Sequence, residues 1–333
     1  LFFAEIVNGN NETTIVESFT LAEFYPYWKE NYAFRKPLAN KTIERYDEIF
    51  FSRIEPALGN KKLSDIKESD INRFIGDLQK PGMRLDGKKK TLSPRVVEMH
   101  YRLLSVLFNK AIKWGKTRNN PCINVDPPLV EYDEDAMDIY DTSELESFLK
   151  ALDSDSDVKI KYKAMVHLAL VTGCRRGEIL GLNWKDVDFT APAIYIHQAS
   201  EYIVGKPIGT KSTKTKLKHW LYISKEAVEL LHALQEEEEK QKSKLGPDWI
   251  DSGRVFTQRN GSPMHVNSYS TWITKFAQKH GIKRGGLQCL RHSSATHKLD
   301  QGVSVRSVQA DLGHTRLTTT SRYVHKLQSA NRD

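Results

Sequence analysis

Four stretches in the second half of the chain combine cationic side chains with a hydroxyl or an imidazole at short intervals. TGCRRGEILGLNWKDV carries Arg175 with Glu178 three residues on. GTKSTKTKLKHW is dense in lysine, with Lys211, Lys214, Lys216 and Lys218 close together. LQCLRHSSATHKL is centred on Arg291, and LGHTRLTTTSRYVH places His314 nine residues before Tyr323. Phosphoryl transfer would use all of these residue types. A phosphodiester under attack gains negative charge on its non-bridging oxygens, which guanidinium forks neutralise in bidentate geometry. An oxygen nucleophile can form a covalent intermediate that stores the energy of the broken bond. A lysine or imidazole can then protonate the departing oxygen. Two arginines, a lysine, a histidine and a tyrosine supply these roles without a metal. No acidic cluster with metal-ligand spacing accompanies them, which argues against a two-metal nuclease.

These groups lie far apart in sequence, so folded elements must gather them. At 333 residues the chain exceeds the usual compact domain, and two domains are expected. Residues 1–17 read as the remnant of a preceding segment and a linker. From Ser18, residues Leu21, Phe24, Tyr25 and Trp28 recur at helical spacing. KTIERYDEIFFSRI puts Ile43, Tyr46, Phe50 and Ile54 on one face and is expected to stop at Pro56 and Gly59. A third helix carries Ile71, Phe74, Ile75 and Leu78 with Ser69 or Asp70 as its cap, and a fourth, RVVEMHYRLLSVLFNKAIKWG, ends at Gly115. Residues 18–120 therefore read as an all-helical domain. Three prolines and an acidic run over 121–138 interrupt all periodicity and read as an interdomain linker. Residues 139–333 mix helices, at SELESFLKALD and KYKAMVHLALVTG, with short strand-like runs at AIYIHQ, SEYIV and HWLYIS. The fold class is α+β overall: an all-helical N-terminal domain and a mixed α/β C-terminal domain. The EEEEK run at 236–240 reads as a solvated helix face.

Lys and Arg total 50 against 42 Asp and Glu, a formal charge of +8. That surplus suits a nucleic acid or another anionic surface, because cationic side chains displace counterions from phosphates, yet it is common enough to decide nothing alone. Cys122, Cys174 and Cys289 are odd in number and widely spaced, so neither a disulfide framework nor a zinc site is indicated and a reducing compartment is expected. No apolar run approaches the roughly 18 residues of a membrane span.

The order of these motifs resembles the tyrosine recombinase (phage integrase) family, whose pattern runs Arg…Lys…His-x-x-Arg…His/Trp…Tyr. TGCRRGEILGLNWKDVDF is similar to the family's first arginine box, and LGHTRLTTTSRYVH to its final box, including the Leu-Gly-His lead. KTIERYDEIFFSRIEPALGNKKLSDI and LFNKAIKWGKTRNNP resemble its helical core-binding domain, so the likeness spans about residues 18–333. The resemblance implies that Tyr323 is the nucleophile and that Arg175 and Arg291 clamp the scissile phosphate. It makes His314 a phosphate or proton-transfer partner and Glu178 a support for an arginine. The catalytic lysine of a β-hairpin falls best on Lys214, with Lys216 and Lys211 as competitors. Lys211, Lys216 and Lys218, with Lys88, Lys89 and Lys90 of the helical domain, are candidate DNA contacts.

One position departs from the pattern. Where the family has histidine three residues before the second arginine, this chain has Gln288, whose amide exchanges no proton near neutral pH but can still hydrogen-bond a phosphate. His292, one residue past Arg291, is not given the base role on this reading. The activity implied is site-specific recombination, the integration or excision of a mobile element through a 3′-phosphotyrosyl intermediate with no cofactor. The implied assembly is a homo-tetramer whose two domains clamp duplex recombination sites, with accessory DNA-bending or excision factors, in the bacterial cytoplasm at the nucleoid. Two other readings stay open: a type IB topoisomerase, and a DNA-binding protein catalytically weakened at Gln288.

Overall fold

Thr20 opens the first helix, α1 (Leu21–Trp28), through a reciprocal cap: its hydroxyl accepts the Glu23 N–H while the Glu23 carboxylate accepts the Thr20 N–H. The computed structural model describes residues 18–330 apart from 36–37, 131–138, 204, 214–217 and 283–285, and its chain divides into two compact units, Leu1–Tyr132 and Asp133–Asp333. The expected remnant at 1–17 lies outside the described residues. In the first unit, Leu21, Phe24, Tyr25 and Trp28 are all buried, and the Tyr25 ring stacks on Phe50 at 3.8 Å between centroids.

The second helix differs from expectation at Pro56. α2 (Asn40–Ile49) widens into a π-helical turn, Phe50–Ile54, in which the Glu55 N–H reaches back to the Phe50 carbonyl. The helix runs on without a break as α3 (Glu55–Leu58) and stops at Gly59 as expected; Pro56 offers no N–H to the turn before it, and that turn is the wider π-helical one. α4 (Glu68–Leu78) is capped at Lys67 rather than at Ser69 or Asp70. Asp70 sits inside the first turn, and its carboxylate accepts the Lys67 N–H at 3.0 Å. α5 (Pro94–Lys113) starts on a proline, whose fixed φ suits a first helical residue. Past 120 the chain stays packed: Cys122 and Val125 belong to the helical core, and the Tyr101 hydroxyl donates to the Cys122 carbonyl at 2.8 Å.

The second unit runs α6 (Thr142–Ser154), α7 (Ile160–Thr172), α8 (Arg176–Leu180), β1 (Val187–Asp188), β2 (Ala193–Ile196), β3 (Gln198–Glu201), β4 (Gly209–Ser212), β5 (His219–Tyr222), α9 (Lys225–Leu245), α10 (Ser268–Lys279), α11 (Leu287–Asp300), α12 (Val305–Asp311) and α13 (Leu317–Ala330). Strands β1, β2 and β5 form an antiparallel sheet in that order, and β3 pairs with β4 as a separate hairpin. α7 buries Ala164, Met165, Val166, Leu168, Ala169 and Thr172, so several of its faces are covered; α9 and α11 pack against it. It ends at Gly173 with φ +65°, a left-handed cap that favours glycine. Within the EEEEK run Glu238 is not simply solvated: its carboxylate accepts the Trp184 indole N–H at 2.7 Å, and burial raises its pKa. Among the described residues no helix is long and apolar enough to cross a membrane.

Candidate active site

Arg291 projects from α11 into the interior of the second unit and is only 4% exposed. Burying a guanidinium costs several kcal/mol unless its protons are satisfied. Here the ends of two helices satisfy them. Nη1 donates to the Gly173 carbonyl at the end of α7, and Nη2 donates to the Leu312 carbonyl at the end of α12, 2.7 Å away. Both are carbonyls at the negative ends of helix dipoles, the favoured place for a cation. Nη2 also stands 3.0 Å from His314 Nε2.

Arg175 reaches the same place from another segment. It is the N-cap of α8, and Glu178 grips it twice: the carboxylate accepts the Arg175 backbone N–H at 2.7 Å and Nη1 at 2.9 Å. Glu178 is 6% exposed, whereas the Arg175 side chain retains 29% of its exposure, so this guanidinium is held yet open on one side. Its Nη2 lies 3.5 Å from the Gly313 carbonyl, directly after the carbonyl that Arg291 holds. Burial first, and the neighbouring Arg175 charge second, lower the Arg291 pKa. Two guanidiniums close enough to repel form a site ready for an anion.

His314 lies in the turn between α12 and α13. Arginine can only donate, so His314 Nε2 accepts from Arg291, and the ring proton on Nδ1 donates to Thr320 Oγ1 at 2.9 Å. The imidazole is therefore neutral. Burial, then Arg291, Arg175 and His292, push its pKa down to about 4. Gln309 fixes the backbone of the turn, accepting the His314 N–H and donating to its carbonyl, each at 3.0 Å.

Tyr323 shares α13 with Thr320, three residues away and thus on one face. It is 2% exposed, and its ring clusters with Ala295, Val308 and Leu312 and lies within 5° of parallel to the His314 ring. Its hydroxyl is 2.9 Å from His292 Nδ1. Cys174, buried beside this cluster, has its thiol pushed up to about 12, chiefly by burial, so no thiolate competes as a nucleophile.

Of the residues singled out from sequence, Arg175, Glu178, Arg291, His314 and Tyr323 come together: Glu178 holds Arg175, Arg175 and Arg291 reach the successive carbonyls of Gly313 and Leu312, Arg291 meets His314, and the His314 ring lies parallel to that of Tyr323. Gln288 is exposed in the first turn of α11 and outside that hydrogen-bonded cluster. Lys214 and Lys216 lie outside the described residues. Lys211 sits on β4 and is paired with Glu201 of β3 at 2.8 Å, while Lys218, Lys88, Lys89 and Lys90 are exposed. Sequence reasoning named His292 but gave it no role, and it missed Thr320. Their contacts join α11 and the turn to α13, and the i, i+3 relation of Thr320 to Tyr323 was the sequence hint at Thr320.

A model of the phage integrase family matches residues 139–330, more than half of the chain. The chain belongs to the phage integrase family. A second model, the phage integrase N-terminal SAM-like domain, matches residues 20–79 within the helical unit. A XerC-like tyrosine recombinase of Caldanaerobacter subterraneus subsp. tengcongensis is 25% identical, covering 87% of this chain and 75% of its own. The ICEBs1 integrase of Bacillus subtilis is 28% identical, covering 78% and 69% respectively. Among solved structures, the Tn1549 transposon integrase in complex with a circular intermediate DNA shares the fold with a TM-score of 0.76 at 20% identity, covering 92% of this chain and 95% of that one. Lambda integrase, solved as a tetramer bound to a Holliday junction, gives 0.66 at 19% identity, covering 92% and 77%. As a tyrosine recombinase of this family, the protein is a site-specific DNA strand-breaking and rejoining enzyme.

Proposed function

We propose that this integrase-family protein integrates or excises a mobile element by attack of Tyr323 on a DNA phosphodiester. The observation that carries the assignment of residues is the cluster itself: two guanidiniums, an imidazole and a phenol, from four separate segments, meet at the ends of α7 and α12. Arg175, the more open of the pair, receives the non-bridging oxygens first, and Arg291 adds its charge from behind. Charge developing on those oxygens is stabilised by groups fixed before the reaction begins. His314, neutral and accepting in the free protein, becomes a donor to phosphate once the anion favours its protonation. The Tyr323 oxygen forms a bond to phosphorus as the bond to the 5′-oxygen breaks, and Lys214 supplies the proton that the leaving hydroxyl needs. The reverse reaction, with a new 5′-hydroxyl as attacker, reseals the strand without ATP. Strand exchange through a four-way junction calls for four copies on DNA, with Lys211, Lys216, Lys218 and Lys88–Lys90 contributing phosphate contacts and accessory bending factors setting direction.

The test is a nicked duplex taken from the joined ends of the element that encodes this chain. A nick beside the scissile phosphate lets the cleaved fragment diffuse away and traps the covalent complex. The wild type is expected to give a protein–DNA band on a denaturing gel that is absent for Tyr323→Phe. Clear site binding with no such band would mean that the chain binds DNA without cutting it.

A further inference from the structure

The Tyr323 phenol has a partner in a place where the family pattern assigns none. Gln288 occupies the position of the expected histidine and is exposed near the start of α11. His292 lies four residues further on, on the same face of α11 and one turn along. Its Nδ1 is 2.9 Å from the Tyr323 hydroxyl, and the two rings lie 5.5 Å apart. The phenol ring is already held by Ala295, Val308 and Leu312, so packing alone fixes the ring, while the imidazole meets the one atom that must react.

We propose that His292 is the general base for Tyr323, replacing by one helical turn the histidine that Gln288 does not provide. This rests on the phosphotyrosyl reading above. As the Tyr323 oxygen bonds to phosphorus, the phenol proton passes to His292 Nδ1; the bond from phosphorus to the 5′-oxygen breaks, and that oxygen takes its proton from the lysine. On resealing, the 5′-oxygen bonds to phosphorus and returns its proton to the lysine, while the phosphorus–tyrosine bond breaks and His292 returns the proton to the phenol oxygen. Among the described residues, the charged and titratable groups near this pair include Arg291 beside it on α11, His314, whose ring lies parallel to that of Tyr323, and Arg175, whose charge acts on both of these. They act on the phosphate: the arginines keep their charge, His314 is protonated when the phosphate binds and keeps that proton through the step, and none of the three takes the phenol proton.

The experiment measures the single-turnover rate of covalent complex formation on the nicked duplex across about pH 5 to 8, where histidine titrates. It compares wild type, His292→Asn, His292→Ala and Lys214→Ala. Asparagine can still hydrogen-bond the phenol but takes no proton, so a purely positioning role would survive it. The expected result is a wild-type rate that rises with pH, and a His292→Asn rate lower by about 10²–10⁴-fold without that rise, at unchanged DNA affinity. Added imidazole should restore part of the His292→Ala rate. A substrate with sulfur in place of the bridging 5′-oxygen needs no proton on its leaving group, so it should rescue Lys214→Ala and leave His292→Asn slow. His292→Asn cleaving at the wild-type rate with the wild-type pH profile overturns this proposal alone. A wild type that forms no Tyr323-dependent adduct on DNA it binds overturns the recombination mechanism and this proposal together.

Discussion

Replacing Thr320 with valine tests whether the architecture of the site depends on a residue remote from the phosphate. Thr320 is fully buried, and its hydroxyl is 2.9 Å from His314 Nδ1. The opposite ring nitrogen is committed as the acceptor for Arg291, so the Nδ1 proton is left to Thr320. Valine keeps the shape and removes the oxygen. A lost hydrogen bond costs about 0.5–1.5 kcal/mol, and a donor left unsatisfied costs about 1–3 kcal/mol. Because His314 is only partly buried and its ring can turn toward water, the expected loss is about 1–2 kcal/mol. Thr319, the exposed neighbour, is the control; its change to valine should stay within about 0.5 kcal/mol. Urea unfolding of the two variants measures the difference. The adduct rate of Thr320→Val should fall by about tenfold, since about 1.4 kcal/mol of misplacement in the transition state has that effect. Equal unfolding midpoints for Thr320→Val and Thr319→Val, together with a wild-type cleavage rate, would refute the idea that His314 is held through α13.

Three further outcomes are expected. The pKa of His314 lies near 4 in the folded chain against 6.5 for the ordinary imidazole, so between these values the unfolded chain binds a proton that the folded one refuses. Stability should therefore fall as pH drops through that window, by on the order of 1–2 kcal/mol after allowance for the exposed part of the ring, and His314→Gln should flatten the urea midpoint against pH. Gly173→Ala combines a left-handed backbone at φ +65° with a Cβ only 2.6 Å from Leu312 Cδ2. The two effects, about 1–2 and about 1–3 kcal/mol, should lower the melting temperature sharply, and an unchanged melting temperature would contradict the packing described. Lys211→Ala removes an exposed ion pair with Glu201 and should change stability by less than about 1 kcal/mol while reducing the salt dependence of DNA binding by about one phosphate contact. An unchanged salt slope would place Lys211 off the DNA.

The parts of this protein that were readable from sequence are those written locally. Leu21, Phe24, Tyr25 and Trp28 sit one turn apart or less, and one amphipathic helix satisfies them all. His314 and Tyr323 lie within one short segment, so their interval survives in the motif. Pro56 was misread because a π-helical turn just before it re-registers the backbone hydrogen bonds, a geometric option that residue types do not announce. Asp70 resembles an N-cap by type, yet it acts from the third position of the helix by reaching backwards. The role of His292, and Thr320 altogether, were illegible for a different reason. Each acts across an interface, His292 from α11 and Thr320 from α13, and helix packing rather than spacing decides which side chains meet there. Arg291 was legible as a cation but not as the brace that ties the ends of α7 and α12 together.

The most direct test of the central claim is to locate the covalent bond. Wild-type protein is trapped on the nicked duplex, digested with protease and nuclease, and the peptide carrying the residual nucleotide is sequenced by mass spectrometry. The account predicts a single modified peptide with the 3′-phosphate on Tyr323. A nucleotide on any other residue, or a DNA-bound wild type that yields no modified peptide, would contradict it.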